Sequence, residues 1–490
     1  LIANRGEIAR RIIRACRELD IESIAVYSEA DASSPHVREA DHAVAIGPAP
    51  SRESYLNIDA IITAATSMRA DAIHPGYGFL SERAPFARAC ESAGLLFVGP
   101  PASALEAMGS KTGARALMAR AGVPIVPGEI PADQSESAFA ASIATIGVPV
   151  LLKPAAGGGG IGMKVVRDVS ELGAALAAAQ REAKAAFGDD TIYIERLIEQ
   201  PRHVEIQVFA DNHGHTVHVF ERECSAQRRH QKVIEESPCP VLTPGVRARM
   251  GAAAIAAAEA VGYRNAGTCE FLLEGSGDDA RFYFLEMNTR LQVEHPVTEA
   301  VVGVDLVHAQ LAVAAGDALP FTQASLSQRG HAIECRIYAE DPAQGFLPQA
   351  GRILLYHEPQ GPGIRVDSGV TTGSDVTVHY DPMLAKLIVH APTREQARRR
   401  AIAALRDFAI LGIRTNIAFL IQLLEHDVFV DASVDTGFLD RESAHIADRI
   451  PRELPDALKR FAQQHSAPGT VGTVGTLGTD PFLSLRDWRG

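Results

Sequence analysis

Short apolar runs alternate with helix-like patterns over the first hundred residues of the chain. Residues 1–3 and 24–27 are apolar runs typical of buried strands, and residues 8–19 between them have the spacing of an amphipathic helix. A strand, a helix and a second strand in this order predict the beginning of a parallel α/β layer. The alternation continues to residues 95–98, and we expect the first domain to end near residue 100.

The pattern changes after this first domain. A predicted helix over residues 111–121 leads towards a strand at 148–154, and strand-like alternation dominates from 191 to about 288, interrupted by a helical pattern at 246–261. Beyond residue 329, short alternating runs and a helical pattern at 394–408 predict a third, mixed domain. We therefore expect a multidomain protein that combines α/β and α+β architecture.

Four consecutive glycines interrupt the segment KPAAGGGGIGM at residues 153–163. Gly157, Gly159 and Gly162 match the G-x-G-x-x-G dinucleotide fingerprint, but that fingerprint requires a strand before the loop and a helix after it. A second strand is predicted at 163–167, and Met163 stands where a P-loop requires lysine, so neither motif fits. We interpret the loop as a hairpin flap whose backbone N–H groups close over an anionic ligand, the alternative being a flexible surface turn.

The flap is followed by an Ala-rich run at residues 170–187. Its composition predicts a helix with Ser170 as the N-cap.

Two glutamates in neighbouring apolar strands indicate a metal site. If residues 275–280 form the loop of a hairpin, Glu270 lies opposite Glu286 to within one residue. Like charges across a ladder are unfavourable unless a cation neutralises them, and Mg²⁺ bound by carboxylates and substrate phosphates does so; the alternative is a solvated acidic rim. Alternation predicts one face with Thr268, Glu270 and Leu272, and a facing set with Phe284, Glu286, Asn288 and Arg290.

A polar face and a basic cluster lie on either side of these strands in sequence. In HVEIQVFAD, His203, Glu205 and Gln207 share one face, which is costly to bury without partners. Arg290, Gln292 and Glu294 continue the alternation of the second glutamate strand, so that cations and a carboxylate converge beside the metal. This combination suits phosphoryl transfer to a small anion, although a basic cluster is ordinarily a solvated face. The cluster contains Arg228, Arg229, His230 and Lys232.

Two lysines complete a nucleotide site that is neither a P-loop nor a dinucleotide fold. Lys153 ends the strand that enters the flap, and Lys111 begins a helix after the first domain. Each alone is an ordinary surface lysine, but beside a glycine flap and a metal site they are typical of phosphate clamps. We expect the glycines to close over the triphosphate of ATP, and the strand at 191–198, with Glu195 and the backbone near Ile198, to receive adenine.

Composition and charge restrict the remaining possibilities. A chain of 490 residues is long enough for about two to four domains. The net charge of −13 argues against nucleic acid or an anionic membrane as a partner, and no apolar run is long enough to span a bilayer. The six cysteines contain no C-x-x-C pair, which indicates reduced thiols in a cytoplasmic or organellar-matrix protein, and we favour the cytoplasm.

The two ends of the chain have the pattern of a fragment. The first residues already resemble the end of a strand, so we expect sequence before them. The GT-rich stretch at 469–479 is typical of a linker, and the segment after it, which contains the only tryptophan, Trp488, is interpreted as the start of a further domain.

With these residues in view, the chain resembles biotin carboxylase, an ATP-grasp enzyme that occurs as a subunit or region of biotin-dependent carboxylases. The resemblance covers residues 1 to about 449 and rests on ANRGEIA, HPGYGFLSE, GVPVLLKP with the glycine loop, PRHVEIQV, RRHQKVIEE, RFYFLEMNTRLQVEHPVTE, GHAIECRI and YDPMLAKLI. It implies a Rossmann-like N-terminal domain at 1–108, an ATP-grasp domain at 109–326 with a mobile lid at about 127–198, and a mixed C-terminal domain at 327–448. Residues 449–490 are then a linker and the start of a truncated domain.

The resemblance also implies a reaction and a set of site residues. MgATP phosphorylates bicarbonate to carboxyphosphate, which decomposes to CO₂ and phosphate, and the N1′ of biotin is carboxylated. Glu294 is the implied base, Arg336 stabilises the biotin enolate, and Lys232 and Arg290 complete the catalytic set. Glu270, Glu286 and Asn288 hold Mg²⁺ or Mn²⁺. The implied nucleotide, bicarbonate or biotin contacts are Lys111, Lys153, Gly158, Gly159, Gly160, Glu195, Ile198, His203, Gln227, His230, Leu272, Gln292, Val293 and Tyr77.

Some features depart from the family pattern or point outside the chain. Ile161 and Pro154 in the flap, and FLPQAG in place of a more usual FLPSPG, affect the expected strength or speed of flap closure more than the reaction type. No A-M-K-M biotinylation sequence occurs, so we expect the biotin carboxyl carrier domain on another chain or beyond Gly490. A carboxyltransferase subunit of an acyl-CoA carboxylase would complete the cycle, in a homo-oligomer or larger complex.

Two other functions remain open from the sequence. One is another bicarbonate-activating ATP-grasp ligase, such as half of a carbamoyl-phosphate synthetase, against which the RRHQK and GHAIECR segments count. The other is a catalytically silent nucleotide-binding assembly subunit, against which the retained Lys232, Arg290, Glu294 and Arg336 count.

Overall fold

The first hundred residues form a parallel α/β layer, as predicted. The computed structural model describes residues 1–131, 133–155 and 162–450, apart from the side chains of Lys111 and Thr112. Ile24–Tyr27 pairs in parallel with His42–Ala45, and Ala72–Ile73 pairs in parallel with Leu96–Phe97. Ile2 joins the two pairs by bridging to Ala25 and His74. The amphipathic helix runs from Gly6 to Glu18, so it begins two residues before the predicted start at residue 8.

Helices cover the faces of the sheets throughout the described chain. No described helix is by itself both long and apolar enough to cross a membrane, and one bent pair, His295–Val302 with Leu306–Ala315, meets that test only in combination. The helices are α1 Gly6–Glu18, α2 Pro35–Glu39, α3 Ile58–Ser67, α4 Ala84–Ser92, α5 Ala102–Gly109, α6 Lys111–Arg120, α7 Glu136–Ile146, α8 Leu172–Phe187, α9 Pro244–Ala260, α10 His295–Val302, α11 Leu306–Ala315, α12 Arg394–Asp407, α13 Ile417–Glu425, α14 Asp427–Val430 and α15 Phe438–Asp448.

The strands are concentrated between residues 128 and 411. In chain order they are β1 Ile24–Tyr27, β2 His42–Ala45, β3 Ala72–Ile73, β4 Leu96–Phe97, β5 Gly128–Glu129, β6 Val150–Pro154, β7 Lys164–Val166, β8 Ile192–Arg196, β9 Arg202–Ala210, β10 Thr216–Arg228, β11 Gln231–Ser237, β12 Asn265–Glu274, β13 Arg281–Asn288, β14 His331–Tyr338, β15 Glu340–Asp341, β16 Leu347–Pro348, β17 Gly351–Arg352, β18 Leu355–His357, β19 Ile364–Ser368, β20 Asp375–Val376, β21 Met383–Ala391 and β22 Ala409–Leu411.

The largest sheet of the described residues has eight antiparallel strands in the order β13-β12-β9-β10-β11-β14-β21-β19. One face is apolar where α9 packs on β9 and β10, and Val204, Ile206 and Val208 of β9 belong to its core. The opposite face of β9 presents His203, Glu205 and Gln207, as the alternation predicted, and all three are buried. The sheet therefore separates a hydrophobic core from a buried polar layer.

A smaller antiparallel sheet, which within the described chain has four strands, follows the order β5-β8-β6-β7. The hairpin predicted around the glycine run is confirmed, because β6 and β7 pair with Val150 opposite Val166. The glycine residues 157–160 and Ile161 lie outside the described residues. The prediction for Ser170 is wrong: the 3₁₀ turn at Val169–Glu171 precedes α8, and the side chain of Asp168 accepts a hydrogen bond from the backbone N–H of Ser170.

The strand pair that bears the two glutamates has the predicted register but an irregular ladder. Glu270 lies directly opposite Glu286. A bulge between residues 270 and 271 places one extra residue, Leu285, in β13. The expectation that Phe284 shares a face with Glu286 is therefore wrong: Phe284 lies opposite Phe271 and packs on it in the core, whereas Glu286 lies opposite Glu270, whose side chain points to the other face of β12.

Candidate active site

A large cleft lies between the small sheet, the polar face of the large sheet and the start of α15. Its volume is about 980 Å³, a size typical of sites for nucleotide-sized ligands. Most of the residues proposed from the sequence line it. They are Lys153, Glu195, Ile198, His203, Gln227, His230, Lys232, Glu270, Leu272, Glu286, Asn288, Arg290, Gln292, Val293, Glu294 and Arg336.

The remaining sequence-derived candidates are placed differently. Tyr77 does not line the cleft; its hydroxyl donates a hydrogen bond to Glu7, which in turn lies 3.3 Å from the ammonium of Lys386. The side chain of Lys111, together with Gly158, Gly159 and Gly160, lies outside the described residues. Their proposed contacts with a nucleotide stay predictions.

Glu270 of the proposed metal site is contacted by side chains from several elements. One of its oxygens lies 3.0 Å from Nε2 of His203, and the other lies 3.0 Å from Nζ of Lys232. Amide groups of Asn288 and Gln292 each donate to it at 2.8 Å. Burial alone would raise the pKa of Glu270, but Lys232 and His203 hold it well below its usual range.

The donor set around Glu270 fits a hard divalent cation. Glu286 faces Glu270 across the ladder and is exposed to the cleft. The NH₂ group of Asn288 donates to Glu270, and its carbonyl oxygen accepts from Arg290, so this oxygen must leave Arg290 before it can ligate a cation. Carboxylate and amide oxygens are the ligands that Mg²⁺ and Mn²⁺ prefer. In the structure Glu270 contacts the ammonium of Lys232 and the imidazole of His203, so a metal ion entering here must compete with both side chains.

Lys232 lies at the centre of the buried charges. Its ammonium donates to Glu205 at 2.6 Å, to Glu270 at 3.0 Å and to Glu294 at 2.5 Å. Burial alone would lower the pKa of Lys232, but these three carboxylates raise it well above its usual value. Lys232 is therefore a permanent positive charge that holds strands β9, β11 and β12 and the segment before α10 together.

Glu294 and Arg336 form a second ion pair beside Lys232. A terminal nitrogen of Arg336 lies 2.9 Å from the carboxylate of Glu294, and its Nε donates to Glu235. Burial alone would raise the pKa of Glu294, but Lys232, Arg336 and Arg222 hold it well below its usual range. Glu294 is thus ionised at neutral pH and able to accept a proton.

A pair of buried carboxylates lies behind Arg336. Glu235 of β11 stands directly opposite Glu334 of β14, and both side chains are fully buried. Burial, partly offset by Arg336, raises the pKa of Glu235 to about 7, and burial raises the pKa of Glu334 well above its usual range. Neither residue was identified from the sequence, although two acidic residues within apolar strands are a detectable signal.

The segment between β13 and α10 is held from both flanking regions of the chain. Glu82 accepts hydrogen bonds from the backbone N–H of Thr289 at 3.0 Å and from Nε of Arg290 at 2.9 Å. From the other side, the ammonium of Lys386 donates to the carbonyl of Val293 at 2.6 Å. Sequence reasoning missed Glu82 and Lys386, because nothing in a linear pattern relates residues that lie 208 or 93 positions apart.

The far end of the cleft combines a lysine with an apolar wall. Lys153 of β6 forms an ion pair with Glu195 of β8, which also lies 3.8 Å from Arg115. Ile198 packs with Leu272 in a small apolar cluster at the same end. A cationic group next to an apolar surface suits a ligand with phosphates at one end and an aromatic ring at the other.

Arg222 lies directly beneath the cleft and was also missed. It is fully buried in β10, opposite Glu205 of β9, and it hydrogen-bonds the side chain of Gln292. A single arginine inside a long buried strand is the sequence signal that could have identified it, since arginine is almost never fully buried unless paired.

Family models match three consecutive parts of the chain. The model described as the biotin carboxylase N-terminal domain matches residues 1–105, and that of the biotin carboxylase C-terminal domain matches 334–441. Between them, the model described as the carbamoyl-phosphate synthase L chain ATP-binding domain matches 110–322.

Individual proteins are similar over most of the chain. A biotin carboxylase from Halalkalibacterium halodurans is 52% identical over 441 residues, which cover 90% of this chain and 96% of that protein. The mitochondrial methylcrotonoyl-CoA carboxylase subunit alpha of Rattus norvegicus is 50% identical, and the match covers 94% of this chain but 64% of that protein. The chain thus spans less than two thirds of the length of the rat relative.

A solved structure has the same architecture. The crystal structure of a biotin carboxylase–βγ-ATP complex from Campylobacter jejuni superposes with a TM-score of 0.85 at 46% identity, covering 90% of this chain and 98% of that one. A biotin carboxylase domain dimer of 2-oxoglutarate carboxylase from Hydrogenobacter thermophilus, in complex with MgADP, ADP and bicarbonate, has a TM-score of 0.83 at 44% identity and covers 91% of this chain and 97% of that one.

Proposed function

The chain belongs to the biotin carboxylase family of ATP-dependent ligases, and on that premise we propose how its cleft carboxylates biotin. The reaction consumes ATP and bicarbonate, passes through carboxyphosphate and transfers the carboxyl group to N1′ of biotin. One observation supports this assignment above the others: the ionised Glu294 lies between the cations Lys232 and Arg336, in a cleft that also contains two facing glutamates.

ATP occupies the far end of the cleft and extends towards the glutamates. Its adenine lies against Ile198 and Leu272, near Glu195, and Lys153, together with Lys111 and the backbone of Gly158, Gly159 and Gly160, holds the phosphates. His203, Gln227 and His230 line the path between the two ends.

Glu270, Glu286 and Asn288 hold Mg²⁺, or Mn²⁺ in its place. When bound, this ion would supply positive charge for the phosphate oxygens during phosphoryl transfer. The side chains of Lys232 and His203, which contact Glu270 in the structure, release it and become free to contact phosphate or bicarbonate.

Bicarbonate binds where Arg290, Gln292 and the backbone of Val293 converge. Arg290 supplies a planar guanidinium that matches the two oxygens of the anion. Glu294 accepts the proton of bicarbonate, and the resulting oxygen attacks the γ-phosphorus, so that ADP leaves and carboxyphosphate forms. Glu294 is ionised and so has a free lone pair for this proton. When Lys232 and Arg336 turn to the reacting anions, its carboxylate loses their stabilisation and becomes the stronger base that this step requires.

Biotin then enters beside Arg336. Carboxyphosphate decomposes to CO₂ and phosphate, the released phosphate accepts the proton of N1′, and the deprotonated N1′ of biotin takes up the CO₂. The enolate oxygen of the ureido ring lies against Arg336, whose planar and permanently charged guanidinium is the better partner for this developing charge. Because Tyr77 does not line the cleft, a contact between Tyr77 and biotin requires this side chain to leave its hydrogen bond with Glu7.

The family of the chain, and the greater length of some of its members, support two proposed partners. Biotin arrives on a biotin carboxyl carrier domain, supplied by another chain or by sequence beyond Gly490, and a carboxyltransferase subunit passes the carboxyl group to an acyl-CoA. We also propose the domain division 1–108, 109–326, 327–448 and 449–490, a homo-oligomeric or larger assembly, and a cytoplasmic location, which suits six buried cysteines with free thiols.

An assay of ADP release tests the proposal. The purified chain is incubated with MgATP, bicarbonate and free biotin, and each component is omitted in turn. We expect ADP release that requires both bicarbonate and biotin, and we expect Lys232→Ala and Arg336→Ala to abolish it. ADP release that does not require biotin would favour another bicarbonate-activating ligase. Nucleotide binding without turnover would favour a catalytically silent assembly subunit.

A further inference from the structure

Arg222 forms the floor of the cleft without lining it. Its guanidinium has five N–H groups, and each donates to a different buried acceptor. Nε donates to Glu205 at 2.5 Å; one terminal nitrogen donates to Gln207 at 2.8 Å and Thr298 at 3.0 Å; the other donates to Thr268 at 3.1 Å and Gln292 at 2.8 Å. The acceptors come from β9, β12, α10 and the segment before α10, so one side chain connects four parts of the site.

The contact with Gln292 determines which way its amide points. A side-chain amide has a carbonyl oxygen and an NH₂ group that can exchange places by a rotation of half a turn. Arginine has no acceptor, so Gln292 must turn its oxygen towards Arg222. Its NH₂ group then faces Glu270, to which it donates at 2.8 Å, and the cleft. Arg222 therefore makes Gln292 a donor on the side where an anion binds.

Through its contact with Glu205, Arg222 also affects the position of Lys232. One carboxylate oxygen of Glu205 accepts from Arg222, and the other accepts from Lys232 at 2.6 Å. Glu205 is fully buried, so it has little freedom to turn away from either cation. A change at Arg222 consequently reaches the cleft by two routes, through Gln292 and through Glu205.

We propose that Arg222 is a positioning residue that fixes the amide of Gln292 as a donor and so sets the affinity of the site for bicarbonate. This inference rests on the proposed function, since it assumes that the anion next to Gln292 is bicarbonate. A purely structural arginine would contribute to folding alone, and its loss would leave the affinity for bicarbonate unchanged.

Steady-state kinetics of biotin-dependent ADP release test the inference. In Arg222→Lys a point-like ammonium replaces the guanidinium and cannot serve Glu205, Gln207 and Gln292 together. We expect the KM for bicarbonate to rise about tenfold, the effect of one lost hydrogen bond to a charged ligand, while the KM for ATP changes by less than about twofold. Arg11→Lys is the matched control, because Arg11 is equally buried but pairs with Glu299 and Asp305, away from the cleft lining.

A double-mutant cycle separates positioning from stability. If Arg222 acts through Gln292, Arg222→Lys raises the KM for bicarbonate by a smaller factor in a Gln292→Ala background than in the wild type, and the remaining rise passes through Glu205 and Lys232. Effects that are fully independent multiply instead. If Arg222→Lys does not fold, Thr268→Val removes one acceptor from the terminal nitrogen that holds Gln292, and we expect the KM for bicarbonate to rise about threefold.

The outcomes are distinct. An inactive wild-type chain would overturn the proposed function itself. An active wild type whose KM for bicarbonate is unaffected by the Arg222 and Thr268 substitutions would overturn the inference alone, as would equal increases in Arg222→Lys and Arg11→Lys or multiplying effects in the cycle.

Discussion

Replacing Lys232 by methionine removes the positive charge at the centre of the site and keeps a side chain of similar length. The ammonium group lies 2.5 to 3.0 Å from Glu205, Glu270 and Glu294. Its loss leaves these carboxylates with Arg222, Arg336 and His203 as neighbouring cations. We therefore expect the folded state to lose stability as well as activity.

The size of the effect follows from the distances between the carboxylates. Oxygens of Glu205 and Glu270 lie within 4.8 Å of each other, which corresponds to a repulsion of about 3.5 kcal/mol at an effective dielectric constant of about 20. Removing one partner from a buried ion pair costs about 3–5 kcal/mol, in agreement with this figure. For a cooperative unit of roughly 200 residues the melting temperature would fall by about 10 °C.

Scanning calorimetry with and without Mg²⁺ measures this effect. Mg²⁺ brings positive charge to Glu270, so it should raise the melting temperature of Lys232→Met more than that of the wild type, in which Lys232 opposes the ion. Lys184→Met is the control, because Lys184 is exposed and lies 3.6 Å from the exposed Asp190; we expect its melting temperature to change by about 1 °C or less. A Lys232→Met variant whose melting temperature equals that of the wild type, or does not change when Mg²⁺ is added, would refute the charge balance described for the cleft.

The other predictions concern Glu235, Glu82 and Glu270. Because the pKa of Glu235 is raised from 4.5 to about 7 on folding, its stabilising contribution is complete below pH 4.5 and is lost as the pH rises towards 7. Glutamine does not titrate, so the free energy of unfolding of Glu235→Gln, measured in urea, should rise relative to that of the wild type between pH 5 and pH 8. Free energies of unfolding that change with pH in the same way in both proteins would contradict the buried carboxylate pair. Glu82→Ala frees Arg290 and should raise the KM for bicarbonate about fivefold, the equivalent of about 1 kcal/mol, with Glu82→Gln intermediate; a lowered KM would mean that Glu82 competes with bicarbonate instead. Glu270→Gln should shift the Mg²⁺ dependence of ADP release to at least about tenfold higher concentration, and an unchanged titration would argue against Glu270 as a ligand.

Local patterns predicted the elements and the register of the glutamate strands well. The alternation of β9 correctly separated His203, Glu205 and Gln207 from the apolar core, because a period of two is imposed by the backbone itself. The hairpin midpoint placed Glu270 opposite Glu286 to within one residue, and the structure has them directly opposite. The bulge at Leu285 could not be predicted, since an extra residue leaves no trace in the composition of a strand, and Phe284 was assigned to the wrong face for that reason.

The residues that sequence reasoning did not identify are placed at the site by contacts between distant parts of the chain. Arg222, Glu82 and Lys386 do not line the cleft but contact residues that do, namely Gln292, Arg290 and Val293. These contacts depend on strand order and on how distant parts of the chain pack together. Tyr77 shows the converse: the family pattern implied a contact, but in the structure its hydroxyl is engaged by Glu7, outside the cleft lining. Sequence patterns identify which residues share a strand face, whereas the hydrogen-bond partners of a buried charge require the assembled fold.

The tethering of the segment between β13 and α10 limits how far this catalyst could be reduced in size. Glu82 and Lys386, which hold the two ends of that segment, lie outside residues 110–322, the part matched by the ATP-binding family model. A fragment cut to those residues would keep Glu270 and Glu286 but would leave the segment between β13 and α10 without either anchor. An engineered chimaera that exchanges residues 110–322 alone would need residues equivalent to Glu82 and Lys386 in the parts of the chain on both sides. Without them, the segment between β13 and α10 would be held less firmly.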